Sequence, residues 1–274
     1  MKEYLREITR DAAPTGAVNA MREYLQARIL QSLQEDGAWT SIAFMGGTSL
    51  RFLYRLPRFS EDLDFALEDP SVGFDFAHLI ESARARFERE GYRTEVKVAT
   101  KTTVNKAFIR FPGLEHEMGV SPHPDKVFSV KLEVDTRPPT GAGLEVTTVR
   151  RFVTLRLAHH DKPSLLAGKV AALLCREWLK GRDVYDLVWY LSDPSWPEPN
   201  EVLLAGALRQ AGMTDLASQP GEWKHALVRR LESASWDDVL PDVERFLERP
   251  PDAWMLERDA VLAVIEQRGW GGRF

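Results

Sequence analysis

Residues 46–64 read GGTSLRFLYRLPRFSEDLD, and the fold is decided there. Just upstream, Ser41–Met45 is a short apolar run of the kind that makes a buried strand. The paired glycines turn the chain. Thr48–Tyr54 then reads as a helix with Thr48 near its N-cap, and Pro57 ends it. Asp62–Leu67 alternates as a strand does. Strand, glycine turn, helix and strand in this order predict an α/β domain.

The same run carries chemistry. Residues i and i+2 of a strand share a face, so Asp62 and Asp64 point together while Leu63 and Phe65 point into the core. Two carboxylates on one face repel unless a cation lies between them. Mg²⁺ favours carboxylate oxygens combined with substrate phosphates. Gly46 and Gly47 let the backbone come close to a ligand, and Thr48 and Ser49 add hydroxyls. The helix start offers N–H groups and a positive dipole end to an anion. Together these features point to a nucleoside triphosphate. A third acid is available in Val130–Asp135, VKLEVD, where Lys131, Glu133 and Asp135 share one face. Either Glu133 or Asp135 could join Asp62 and Asp64.

Around this unit, helical periodicity marks residues 15–35 and 74–90, and strand-like runs cover 93–98, 107–111 and 127–135. The strands come in succession, which favours a mixed sheet with flanking helices over a fully parallel one. Beyond residue 145 the pattern is helical, at 165–178, 183–191 and, between prolines and glycines, about 199–212, 222–234, 236–248 and 252–267. The expected organisation is an α/β (α+β) domain over residues 1–145 and a helical domain over 146–274. His159-His160 has no third ligand at recognisable spacing and reads as a solvated loop. Trp270 and Phe274, in the closing GWGGRF, are candidates to dock on the fold.

Of the 274 residues 44% are apolar, yet no stretch approaches the ~18–20 apolar residues of a spanning helix. The charged N-terminus lacks an apolar signal core, so a cytoplasmic protein without membrane partners is expected. The single cysteine, Cys175, excludes an internal disulfide and a cysteine-rich zinc site, and beside Leu173 and Leu174 it reads as a buried thiol. The net charge of −5 hides an asymmetry: residues 84–110 and 146–182 each hold 8 Lys/Arg, against 3 and 2 acids, while residues 193–259 hold 14 acids against 7 Lys/Arg. The two basic blocks are candidates for contacting phosphates.

The run FMGGTSLRFLYRLPRFSEDLDF, followed by VKLEVD and by LLAGKVAALLCREWLKGRDVYDL, resembles the AbiEii/AbiGii nucleotidyltransferase toxins. That family has MenT-type members and belongs to the polymerase-β-like nucleotidyltransferase superfamily. The resemblance spans roughly residues 40–190 and implies a mixed-sheet nucleotidyltransferase fold. It implies that Asp62, Asp64 and Glu133 (or Asp135) are metal carboxylates holding two Mg²⁺ or Mn²⁺ ions. It further implies that Lys169 grips the NTP triphosphate, with Asp183 and Asp186 near the same pocket. Gly46, Gly47 and Thr48 would hold the outer phosphates, with Arg58 as a helper, and Ser60 would stand beside the metal acids. The implied acceptor is the 3′ end of tRNA, the implied outcome arrest of translation by a toxin, and the implied partner a cognate antitoxin. A protein hydroxyl as acceptor, or a nucleotide-binding regulatory module with little turnover, are the alternatives.

Overall fold

The computed structural model describes residues 2–10, 14–248 and 255–270. Seven strands among them, β1 (Ile42–Met45), β2 (Asp62–Leu67), β3 (Glu95–Ala99), β4 (Val104–Pro112), β5 (Val127–Asp135), β6 (Leu144–Arg151) and β7 (Val153–His160), make one sheet in the order β3-β4-β5-β2-β1-β7-β6. The sheet is mixed. β2 runs antiparallel to β1 and parallel to β5, β4 is antiparallel to both β3 and β5, and β1 is parallel to β7. The chain divides into two compact units, residues 1–55, 59–138 and 145–159, and residues 56–58, 139–144 and 160–274.

The first unit combines the sheet with α1 (Lys2–Arg10), α2 (Pro14–Glu35), α3 (Gly46–Tyr54), α4 (Phe76–Arg89) and α5 (Leu114–Glu117). α2 packs on β5 and on α4, and α4 packs on β3 and β4. Met21, Leu25, Ile29 and Leu33 of α2 join Leu63, Phe65, Val130, Leu132 and Val134 in one buried core. That packing fixes β2 and β5 by their apolar face, so their polar residues must share the opposite one. α4 starts at a cap, where the Asp75 side chain accepts from the His78 backbone N–H at 2.9 Å.

The second unit holds α6 (Lys162–Cys175), α7 (Gly181–Leu191), α8 (Glu201–Gln210), α9 (Thr214–Ala217), α10 (Glu222–Ser233), α11 (Val239–Glu244) and α12 (Arg258–Gln267). α6 packs against α7, α8 and α10, and α7 against α11 and α12. Asp161 caps α6, its side chain accepting from the Ser164 N–H at 2.9 Å. Trp270 is buried, stacks edge-on against Trp223 and donates to Glu198 at 2.9 Å. Phe274 lies outside the described residues.

Several local expectations are corrected. From Lys162 onward the described elements are helices, but residues 146–160 form most of β6 and β7. Their charged, arginine-rich alternation hid a half-exposed hairpin. His159 and His160 end β7 and are buried, and His159 Nε2 shares a hydrogen bond of 2.8 Å with Thr147 Oγ1. Cys175 is exposed, because it is the last residue of α6 and stands about 100° around the helix from Leu174. Desolvation nevertheless pushes its thiol pKa up. Finally, α3 starts at Gly46, with extended Met45 rather than Thr48 at its cap.

Candidate active site

In the first unit the acids assemble by strand register. β2 lies beside β5 with Asp62 level with Lys131, Asp64 level with Glu133 and Ala66 level with Asp135. All of these residues share the face opposite the core. On β4, Lys106 stands level with Glu133. The Lys131 Nζ lies 2.7 Å from Glu133 and 3.9 Å from Asp62, and Lys106 lies 3.4 Å from Glu133. Burial pushes the Glu133 carboxyl pKa up, but the bonded Lys131 ammonium, with Lys106 behind it, holds it below the ordinary carboxylate range. Desolvation likewise opposes the charge on Lys131, and Glu133, Asp62 and Asp64 together raise its pKa.

The two candidates for third acid differ in register. Glu133 faces Asp64 directly. Asp135 stands one pleat further on, and its Oδ1 accepts the Arg137 backbone N–H at 2.9 Å.

The glycine turn serves the acids in an unexpected way. Gly46 has φ of +79°, and a Cβ there would lie 2.5 Å from Asp64 Oδ2. The residue is therefore glycine because Asp64 fills the space a side chain would take. The hydroxyls of Thr48 and Ser49 do not face outward. Both residues are fully buried, Thr48 donating to the Asp62 carbonyl and Ser49 to the Gly46 carbonyl at 2.7 Å. What the turn can offer an anion is backbone N–H at a helix start without a side-chain cap. Gln26 of α2 donates to the carbonyls of Ser60 and Glu61, both at 3.0 Å, and so fixes the chain entering β2.

Among the described residues, no three His, Cys, Asp or Glu side chains converge into a ready metal cage. A divalent ion of the Mg²⁺ type does not require one, since it completes its shell with water and phosphate oxygens. The donor set suits such an ion: hard carboxylates on one face, with the Lys131 ammonium already in the place of a cation between Asp62 and Glu133.

The second unit holds a separate buried charge cluster. Arg58, which enters this unit with residues 56–58, forks onto Asp186, with Nε to Oδ1 and Nη2 to Oδ2 each 2.6 Å. Both residues are at most 2% exposed, so the expected phosphate helper is turned inward and fully engaged. Lys169 of α6 lies 3.0 Å from Asp183 and 2.7 Å from Asp186 on α7. Asp183 also pairs with Arg176. Three cations thus face two carboxylates. Desolvation opposes the charge on Lys169, yet Asp186 and Asp183 raise its pKa. Desolvation raises the Asp183 pKa, yet Lys169 and Arg176 bring it below its ordinary value. The Asp183 carboxylate also sits in the first turn of α7, where the helix dipole favours an anion.

The family model of the nucleotidyl transferase AbiEii toxins, described as a type IV toxin–antitoxin system, matches residues 28–258. Among solved structures, the MenT4 nucleotidyltransferase toxin of Mycobacterium tuberculosis is similar over 98% of this chain and 88% of its own, at 18% identity and a TM-score of 0.53. JHP933 of Helicobacter pylori is similar over 92% of this chain and 93% of its own, at 16% identity and a TM-score of 0.51. These two likenesses are of fold. A comparison with curated proteins gives no match.

Proposed function

We propose that this chain, which belongs to the nucleotidyl transferase AbiEii toxin family of type IV toxin–antitoxin systems, transfers a nucleoside monophosphate from an NTP to the 3′ end of tRNA in the cytoplasm and so blocks translation. The observation that carries the chemistry is the register that sets Asp64 level with Glu133, with Asp62 on the same face. These three carboxylates would hold Mg²⁺ or Mn²⁺. When bound, the metal supplies Lewis acidity, lowering the pKa of the attacking hydroxyl and stabilising charge on the departing pyrophosphate.

The chain's own groups do the rest. Gly46 leaves Asp64 its space, and Thr48 ties the start of α3 to the carbonyl of Asp62. The N–H groups of that first turn bind outer phosphate oxygens. Within the second unit, Asp183 and Asp186 keep Lys169 protonated and orient it. Arg58 positions Asp186. A cognate antitoxin would complete the system.

The test is incubation with total tRNA, Mg²⁺ and each labelled NTP in turn. Incorporation from one or more NTPs that is lost in Asp62→Asn is the expected result. No incorporation from any of the four, or the same incorporation in Asp62→Asn, refutes the reading.

A further inference from the structure

A cavity of about 390 Å³ opens beside Asp62, within the range of ligand pockets of about 300–1,000 Å³. It lies wholly within the first unit. Its walls include Asp62, Lys131, Phe108 and Ser129 from the sheet, Arg22 from α2, and Lys126. Arg22 is held in place, with Nη1 donating to the Ser129 carbonyl at 2.9 Å and its guanidinium 4.7 Å from the Phe128 ring centre. Lys126 is half-exposed and paired with Glu115 at 2.6 Å.

The register extends this wall outward. Lys97, Phe108, Lys131 and Asp62 stand in one row across β3, β4, β5 and β2. Phe108 is half-buried, with its ring on the same face as the acids, and Lys97 is exposed at the sheet edge. Arg110, on the same face one pleat away, lies 3.5 Å from Glu95 and is itself half-exposed. A π-face thus sits between cations and leads to a metal carboxylate.

We infer that this cavity is the acceptor subsite, and that it takes the terminal nucleoside of a single-stranded nucleic acid. The inference rests on the nucleotidyl-transfer reading and adds a direction to it. Phosphoryl transfer places the attacking and leaving oxygens in line through the phosphorus. The acceptor oxygen bonds to the α-phosphorus as the bond to the bridging oxygen of pyrophosphate breaks, and the hydroxyl proton passes to water. The start of α3 abuts Asp64, whereas the cavity is walled by Asp62. With pyrophosphate at the α3 turn, the attacking group enters from the cavity side. A base stacks on Phe108, which is tolerant of sequence because every base has a π-face. Lys97, Lys126 and Arg110 are placed to meet the phosphates of the preceding nucleotides.

The test uses the full chain, a short fluorescent single-stranded RNA with a free 3′ hydroxyl, and total tRNA. Phe108→Ala is expected to weaken RNA binding and to raise the acceptor KM on the order of tenfold, while the KM for NTP stays unchanged. Lys97→Glu, at an exposed position, is expected to weaken RNA binding and to lower the salt dependence of binding by about one phosphate contact. Unchanged RNA binding in both variants overturns the inference while leaving nucleotidyl transfer intact. So does incorporation into a protein acceptor at wild-type rate in Phe108→Ala. RNA binding is read by anisotropy without turnover, so it tests the cavity even where no NTP is incorporated.

Discussion

Asp64 and Glu133 stand level with each other on adjacent parallel strands, on the face opposite the one that Leu63, Phe65, Leu132 and Val134 turn to the core. Glu133→Gln removes one carboxylate of this pair and is expected to cut nucleotide incorporation by about 10²-fold or more. Asp135→Asn, whose wild-type carboxylate serves the turn at Arg137, should stay within a few-fold of wild type. Initial rates of labelled NMP transfer for the two variants decide the matter, and equal losses would contradict it.

Gly46→Ala places a methyl group 2.5 Å from Asp64 Oδ2 at a backbone φ of +79°. Both effects act in the same direction. A loss of about 1–3 kcal/mol from backbone strain is expected, read as a lower thermal midpoint. Transfer activity should fall further than stability does, since the displaced group is Asp64.

The Arg58–Asp186 fork is buried on both sides. Asp186→Ala leaves the Arg58 guanidinium and the Lys169 ammonium without their shared anion, at an expected cost of about 3–5 kcal/mol. Denaturant unfolding should show the shift. A cost near zero would mean that the fork is open to water in solution.

The Lys169–Asp183 pair sets a pH window. The Lys169 pKa is raised, so its contribution is complete below the unfolded lysine value and is lost as pH climbs through the raised one. The Asp183 pKa is depressed, so its contribution is complete above the unfolded aspartate value and is lost as pH falls through the depressed one. The pair therefore contributes fully between about pH 4 and about pH 10. Urea midpoints measured across pH should be flat there as far as this pair is concerned, and Asp183→Asn should remove the acid limb.

Lys131 occupies the place of a cation between Asp62 and Glu133. Lys131→Met removes that competitor and is expected to tighten Mn²⁺ binding a few-fold in the absence of NTP. Titration of free Mn²⁺ by electron paramagnetic resonance reads this directly. Weaker binding would mean that Lys131 supports the acids instead of competing with the metal.

The legible parts of this chain were those where local pattern and tertiary demand agree. β2 and β5 announce themselves because their apolar residues face a core and their acids do not. β6 and β7 are harder to see because Arg150, Arg151 and Arg156 give the segment the look of a basic surface stretch, although Val153, Leu155 and Leu157 alternate as a strand does. α1 carries the same lesson: Leu5 and Ile8 have helical spacing but lie among charges. The inward turn of Arg58 and the internal bonds of Thr48 and Ser49 depend on partners distant in sequence, and no local pattern encodes them. The cavity wall at Phe108 also needed the register, since a single phenylalanine within an apolar strand has no distinguishing mark.

The fit of Gly46 against Asp64 has a genetic corollary. Every single-base missense change in a glycine codon adds at least a Cβ, and here even that smallest addition falls on a carboxylate. If its expression arrests growth, selection for regrowth would collect every missense change at residue 46 that a single base change can reach, with no preference for drastic replacements over mild ones.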